Sequence, residues 1–195
     1  MRDYTHIILI GMKHTGKSTI GALLSKTLHQ SFFDVDSIIT ELSGKTPRNL
    51  FIEGGAALMK EWETASCRYL TGQKELQGKA DTQGSIIATG GGIADNREAL
   101  DILKKTGLFV YLDSPFDVLF ERIVQTAEKE GHLPPFLRGS DPQALFMELF
   151  QRRTAIYAIM ADMHLQSGIK TPVEITREIV DYIHYEQRTN LHSRR

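Results

Sequence analysis

An α/β fold, with a parallel sheet covered by helices on both faces, follows from two features of this sequence. Short apolar runs alternate with amphipathic helical segments from one end of the chain to the other. Parallel strands need crossover connections, which the intervening helices supply. The first apolar run is also followed at once by Gly11-Met12-Lys13-His14-Thr15-Gly16-Lys17-Ser18-Thr19, a complete match to the phosphate-binding pattern G-x-x-x-x-G-K-[ST], and then by a helical segment. The alternation predicts the layers, and the motif predicts what they carry.

A chain of 195 residues suits a single domain spanning 1–195. Its net charge of −1 provides no basic field for a long nucleic acid, so the expected partner is a small anionic molecule held locally, with no nucleic-acid partner. Cys67 is the single cysteine, which excludes an intramolecular disulfide and a cysteine-based metal cluster and leaves a small, partly buried side chain. No signal peptide precedes the first strand and no apolar run approaches the length of a membrane span. The expectation is a soluble, monomeric, cytoplasmic protein without a membrane partner.

In chain order, residues 6–10 read as a buried strand. The motif after it suits a triphosphate because glycines let the backbone come close and take positive φ, so that its N–H groups can wrap phosphate oxygens. Met12, Lys13, His14, Thr15, Gly16, Lys17, Ser18 and Thr19 form the candidate nucleotide site. Lys17 would reach the outer phosphates and Ser18 would offer its hydroxyl to Mg²⁺, while the N-terminus of the following helix adds unsatisfied N–H groups and a favourable dipole. That helix, over 18–28, presents Ile20, Leu23, Leu24 and Leu28 to the sheet. Residues 31–36 read as a short strand ending in two carboxylates. Two apart on an extended segment, Asp34 and Asp36 point the same way. One can hold Mg²⁺ through water while the other accepts a proton from, or hydrogen-bonds, a substrate hydroxyl. Asp36 is equally suited to cap a helix over 37–42.

Ser43-Gly44-Lys45-Thr46-Pro47 is a turn in which Thr46 caps and Pro47 begins a short helix to residue 53. Gly54-Gly55 break it, and a longer helix runs over about 56–71. There Leu58, Trp62, Ala65 and Tyr69 form an apolar stripe read as core, and Lys60 and Glu63, three apart, can pair. Residues 72–84 are polar and read as loop. A buried strand over 85–89 ends in Gly90-Gly91-Gly92, and glycines there admit a ligand close to the backbone at the carboxyl edge of the sheet. A helix over 96–105, a strand over 108–112, and Ser114-Pro115 as cap and start of a helix through 126 continue the alternation.

The pattern lapses over 127–141, where Leu133-Pro134-Pro135-Phe136-Leu137-Arg138-Gly139 admits no regular element. Its position opposite the phosphate loop predicts a lid that closes over substrate. Pro142 opens a helix with Leu145, Phe146, Leu149 and Phe150 apolar, followed by Arg152, Arg153 and Tyr157. A guanidinium at Arg153 suits a carboxylate or a transferring phosphoryl group. A last strand over 163–165, a cap at Lys170-Thr171-Pro172, a closing helix over 173–185 and a frayed tail over 186–195 complete the chain.

The sum is a P-loop NTPase-type sandwich of the kind found in small-molecule kinases, and the chain resembles one such family, the shikimate kinases, over nearly its full length. Five features carry the resemblance in order: Gly11 to Ser18, Asp34-Val35-Asp36, Phe51 through Glu63, Gly90-Gly91-Gly92, and Arg153-Thr154-Ala155-Ile156-Tyr157 followed by Ala161-Asp162. The resemblance implies a sheet order of 2-3-1-4-5, substrate-binding helices over about 36–72 and a lid over about 127–141. It implies ATP and Mg²⁺ as cofactors and transfer of the γ-phosphoryl of ATP to the 3-hydroxyl of shikimate, giving shikimate 3-phosphate and ADP.

Carried over by resemblance, Lys17 and Ser18 bind phosphate and Mg²⁺, and Asp34 supports the ion through water. Asp36 orients or deprotonates the acceptor, and Gly90, Gly91, Gly92 and Arg153 complete the acid-binding pocket with Arg153 on the carboxylate. Arg122 and Pro172 fall where the family contacts adenine. Two departures stand out. The family pattern G-E-x-x-F-R-x-x-E appears as Gly55-Ala56-Ala57-Leu58-Met59-Lys60-Glu61-Trp62-Glu63, so Lys60 replaces an arginine and keeps its charge without its planar fork. The lid pattern R-P-L-L aligns with Pro134-Pro135-Phe136-Leu137, leaving Arg138 as the candidate catalytic substitute for the lid arginine. These departures keep two alternatives open: a kinase of another small hydroxylated acid or polyol, and a weakly active kinase-like binding or regulatory protein.

Overall fold

The computed structural model describes residues 4–72 and 84–193. Five strands, β1 (His6–Ile10), β2 (Ser31–Asp34), β3 (Ser85–Ala88), β4 (Gly107–Asp113) and β5 (Met163–Gln166), form one sheet. Every pairing is parallel and the order is β2-β3-β1-β4-β5, as the resemblance implied. All five carboxyl ends therefore lie along one edge. The helices are α1 (Lys17–Leu28), α2 (Val35–Ser43), α3 (Pro47–Gly72), α4 (Arg97–Lys104), α5 (Phe116–Glu130), α6 (Pro142–Met160) and α7 (Pro172–Ser193).

Alternation along the strands divides the core between two faces. Ile7 and Leu9 of β1 join Leu108, Val110 and Leu112 of β4 in a cluster closed by Ile20 and Leu24 of α1 and Ile175, Ile179 and Ile183 of α7. Ile8 and Ile10 point the other way, with Ile87, Phe109 and Tyr111, into a larger cluster closed by α2 through α6. Burial on both sides explains why these strands read as continuous apolar runs.

Several elements differ from the expectation. β2 stops at Asp34, which is the N-cap of α2: its carboxylate accepts the Asp36 N–H at 3.0 Å. Asp36 therefore sits in the first helical turn and is not the cap, and strand alternation does not align the two carboxylates. The cap wins because it satisfies an otherwise orphaned helix N–H. Ser114 does not cap α5: Pro115 occupies the N-cap position with no side-chain cap, and the Ser114 hydroxyl shares a hydrogen bond with that of Ser167 at 2.7 Å. α5 continues past residue 126 through Glu130, since Ala127-Glu128-Lys129-Glu130 are good helix formers, until Gly131 ends it in the left-handed region at φ 75°. The expected lid thus loses its first four residues to α5 and gains a short 3₁₀ turn, Pro135–Leu137, with Leu137 buried. α7 runs on through Ser193 where a frayed tail was expected.

In α3 the break is confined to Gly55 (φ 63°, ψ −156°). The buried face beyond it is Glu63, Thr64, Ser66, Cys67 and Leu70, whereas Leu58, Trp62 and Tyr69 are only half-buried and Ala65 is exposed. Cys67 is wholly buried, and burial pushes its thiol far above the usual range. Most of the loop expected over 72–84 lies outside the described residues.

Candidate active site

The carboxyl edge of the sheet gathers three segments. The first is the loop between β1 and α1. Gly11 (φ 142°) and Gly16 (φ 91°) take backbone angles that side chains rarely adopt, and a Cβ on Gly11 would lie 2.5 Å from the Leu112 carbonyl oxygen. His14 takes φ 69° without being glycine. The Thr15 hydroxyl donates to the Met12 carbonyl at 3.0 Å, tightening the curl. Lys17 is buried, and its ammonium donates to the Gly11 and Met12 carbonyls at 2.9 and 2.8 Å. Burial pulls its pKa down to about 8, against the charges of Asp36 and Asp34. From α5, the Arg122 guanidinium donates to the His14 carbonyl at 2.7 Å. His14 is lowered to about 4 by burial first and then by Lys13, Lys17 and Arg122. The loop combines positive-φ backbone positions with the cations Lys13 and Lys17, which fits a polyphosphate.

The second segment is the end of β2. The Ser18 hydroxyl donates to Asp34 Oδ2 at 2.6 Å, pairing the first turn of α1 with the α2 cap. A hydroxyl and one carboxylate are hard oxygen donors of the kind Mg²⁺ takes together with phosphate oxygens and water. Among the described residues no group of three or more His, Cys, Asp or Glu is placed to hold a metal without such help. Asp36 is raised above the usual carboxylate range by burial and then by the charge of Asp34, against Lys17 and Lys13.

The third segment, Gly90 to Asn96, is the meeting place of four elements. A Cβ on Gly90 would lie 3.0 Å from Asp36 Oδ1 and 3.4 Å from Glu63 Oε1; on Gly91, 2.5 Å from the Lys13 backbone nitrogen; on Gly92, 3.5 Å from Arg153 Nη2. Close approach of the phosphate-loop backbone thus requires glycine at Gly91, Gly90 is tight against side chains of α2 and α3, and Gly92 lies at ordinary contact distance from α6. Arg153 donates through Nε and Nη2 to Asp95 Oδ2 at 3.0 and 2.7 Å and through Nη1 to the Gly91 carbonyl at 3.2 Å. The Tyr157 hydroxyl donates to the same carbonyl at 3.0 Å.

Lys17, Ser18, Asp34, Asp36, Gly90, Gly91, Gly92 and Arg153 are therefore neighbours, with Arg122 against the loop. Three other candidates stand apart. Arg138 is exposed after the 3₁₀ turn, and its side chain has no hydrogen-bond or ion-pair partner among the described residues. Pro172 opens α7 in an exposed position, its carbonyl taken by the Thr176 hydroxyl. Lys60 is exposed, and no ion pair joins it to Glu63 among the described residues. Glu63 instead faces inward and accepts from Asn96 Nδ2 at 3.0 Å, and burial raises it to about 7 against that hydrogen bond. Asp95 and Asn96 carried no local signal beyond a helix start, because their partners lie on other elements.

Comparisons with known proteins point to one family. The family model for shikimate kinase matches residues 13–184. A shikimate kinase of Aquifex aeolicus is 33% identical over 174 residues, covering 89% of this chain and 93% of that protein. One from Microcystis aeruginosa is 32% identical over 178 residues, covering 91% and 85%. The crystal structure of the Aquifex aeolicus shikimate kinase superposes with a TM-score of 0.72 at 30% identity, over 93% of this chain and 98% of that one. A shikimate kinase from Acinetobacter baumannii in complex with shikimate superposes with a TM-score of 0.79 at 23% identity, over 94% of each, and supports the fold. With the family model spanning most of the sequence and relatives above 30% identity over nearly all of it, this chain belongs to the shikimate kinase family.

Proposed function

We propose that the chain transfers the γ-phosphoryl of ATP to the 3-hydroxyl of shikimate, with Mg²⁺, giving shikimate 3-phosphate and ADP. Membership of the family carries the activity. The observation that carries the division of labour is the Gly90–Gly92 turn, which lies against the phosphate loop at Gly91 and against Asp36, Glu63 and Arg153 at Gly90 and Gly92.

The loop N–H groups and Lys17 hold the outer phosphates, with the Lys17 ammonium turning from the Gly11 and Met12 carbonyls to the ligand. Ser18 and Asp34 hold Mg²⁺, which when bound neutralises charge on the phosphates. Asp36 orients the acceptor hydroxyl and accepts its proton as the new O–P bond forms and the bond to the leaving ADP oxygen breaks. Its raised affinity for a proton suits that role. Arg153 receives the acceptor carboxylate, Lys60 adds positive charge from α3, and Gly90 to Gly92 let the acceptor approach the backbone. Arg122 and Pro172 flank the base, and Lys13, His14 and Thr15 shape the loop. Residues 131–141 act as the lid, with Arg138 swinging in to stabilise the transferring group, and residues 36–72 present the acceptor within one domain.

We extend the proposal to a cytoplasmic monomer acting on small molecules without nucleic acid or membrane. Among the described residues no helix is long and apolar enough to cross a membrane, and the net charge of −1 offers no field for nucleic acid. A coupled ADP-release assay tests the function: release should require both shikimate and Mg²⁺ and fall by at least ~10³-fold in Lys17→Ala. Shikimate-independent release, or full activity in that variant, would reject it.

A further inference from the structure

We propose that Asp95 is a positioning residue of the acceptor site, holding the Arg153 guanidinium against the Gly90–Gly92 turn in the orientation that receives the acceptor carboxylate. The inference rests on the function proposed above and adds a residue to it.

Asp95 ends a short 3₁₀ turn, Ile93–Asp95, that follows the three glycines directly. The turn is rigid: Ile93 and Ala94 are buried, the Asp95 N–H donates to the Gly92 carbonyl at 3.0 Å, and the Asn96 N–H donates to the Ile93 carbonyl at 2.9 Å. From this anchored position one carboxylate oxygen, Oδ2, takes both Nε and Nη2 of Arg153, while Nη1 reaches the Gly91 carbonyl. Two sides of the guanidinium are thus pinned to one five-residue segment. An arginine side chain is otherwise free to adopt many rotamers, and ordering it in the folded protein removes that cost from substrate binding.

Charge balance points the same way. Asp95 is shared with Arg152, whose Nη2 lies 3.0 Å from Oδ1. Two guanidiniums thus share the Asp95 carboxylate at the pocket wall, where a carboxylate on the acceptor would meet charged donors. The adjacent residue completes the frame. Asn96 donates through Nδ2 to Glu63 Oε2 at 3.0 Å and to the Lys60 carbonyl at 2.9 Å. The dipeptide Asp95-Asn96 therefore sets the α6 cation and the α3 carboxylate in register with each other.

A double-mutant cycle with Asp95→Ala and Arg153→Ala tests this, with shikimate and ATP varied in turn. Asp95→Ala should raise the KM for shikimate about tenfold, as loss of a charge-assisted hydrogen bond does, with kcat and the KM for ATP nearly unchanged. In the Arg153→Ala background the same substitution should cost nothing further in kcat/KM. Asp95→Asn, which keeps the shape and one acceptor oxygen, should fall between the two and serves in the cycle if the alanine variant does not fold. An equal penalty for both substrates, or an additive cycle, would overturn the role of Asp95 while leaving the function intact. A wild-type protein that releases no ADP with shikimate would overturn the function and this inference with it.

Discussion

At the scale of single residues, the two ligand walls differ in how completely the sequence reveals them. Gly11, Gly16, Lys17 and Ser18 are adjacent in the chain, and one loop between a strand and a helix brings them together. The proposed acceptor side depends on side chains whose roles their neighbours do not announce. The Lys60 side chain is exposed on α3, and its ammonium has no ion-pair partner among the described residues. Its ammonium is a point charge, whereas a guanidinium grips a carboxylate with two parallel bonds, a difference worth ~1–2 kcal/mol. Lys60→Arg should accordingly lower the KM for shikimate by about tenfold and leave the KM for ATP unchanged. Steady-state kinetics with each substrate varied would decide it, and an unchanged shikimate KM would remove Lys60 from the pocket. Asp34 and Asp36 were legible as a pair, but not as cap and first-turn residue, because the choice between extending β2 and starting α2 is made by hydrogen bonding at the sheet edge.

At the scale of elements, α3 shows how one backbone angle sets a site. Its two halves meet at Gly55, whose φ of 63° and ψ of −156° belong to a region essentially restricted to glycine. A Cβ built there meets nothing within 4 Å, so the demand is on the backbone and not on space. Gly55→Ala should destabilise the protein by ~1–3 kcal/mol, read as a lower urea midpoint with an unchanged slope. It should also disturb acceptor binding more than nucleotide binding, because Lys60 and Glu63 lie on the second half. An unchanged midpoint would show that the angle can relax. The Gly54-Gly55 break was visible as a helix interruption. The continuation of α5 through Glu130 was under-read because charged residues before a proline-rich stretch look like loop, although Glu and Lys propagate a helix well until a glycine stops it. The Arg48 guanidinium in the first turn of α3 donates to the His132 ring at 2.8 Å, joining the start of the proposed lid to α3.

At the scale of the whole molecule, the buried carboxyl of Glu63 links folding to pH. It is 4% exposed and raised by burial from 4.5 to about 7. Between those values the folded protein holds a proton that the unfolded chain has released. Stability is therefore greatest, as far as this group is concerned, below pH 4.5 and declines as pH rises to about 7, by ~3 kcal/mol. Glu63→Gln keeps an acceptor for Asn96 and removes the titration. It should raise the melting temperature above pH 7 and leave it nearly unchanged at pH 4.5, and thermal melts across that range would check it. Equal melting curves at pH 8 would mean that Glu63 is ionised and fully compensated in the fold.

The sequence by itself determined the layered α/β fold, the phosphate-loop motif and the triple-glycine turn, because periodicity, caps and a contiguous motif are local properties that neighbouring residues encode, and it offered the arginine of α6 as a candidate. The strand order came with the family resemblance. Only the tertiary structure decided what completes the proposed acceptor side: Glu63 turned inward onto Asn96, 33 residues away, and Arg153 held by Asp95, 58 residues away. Those pairings exist because the parallel sheet delivers β3 between β1 and β2 and folds α3 and α6 over the same edge. No local pattern in the chain records which carboxylate meets which cation there.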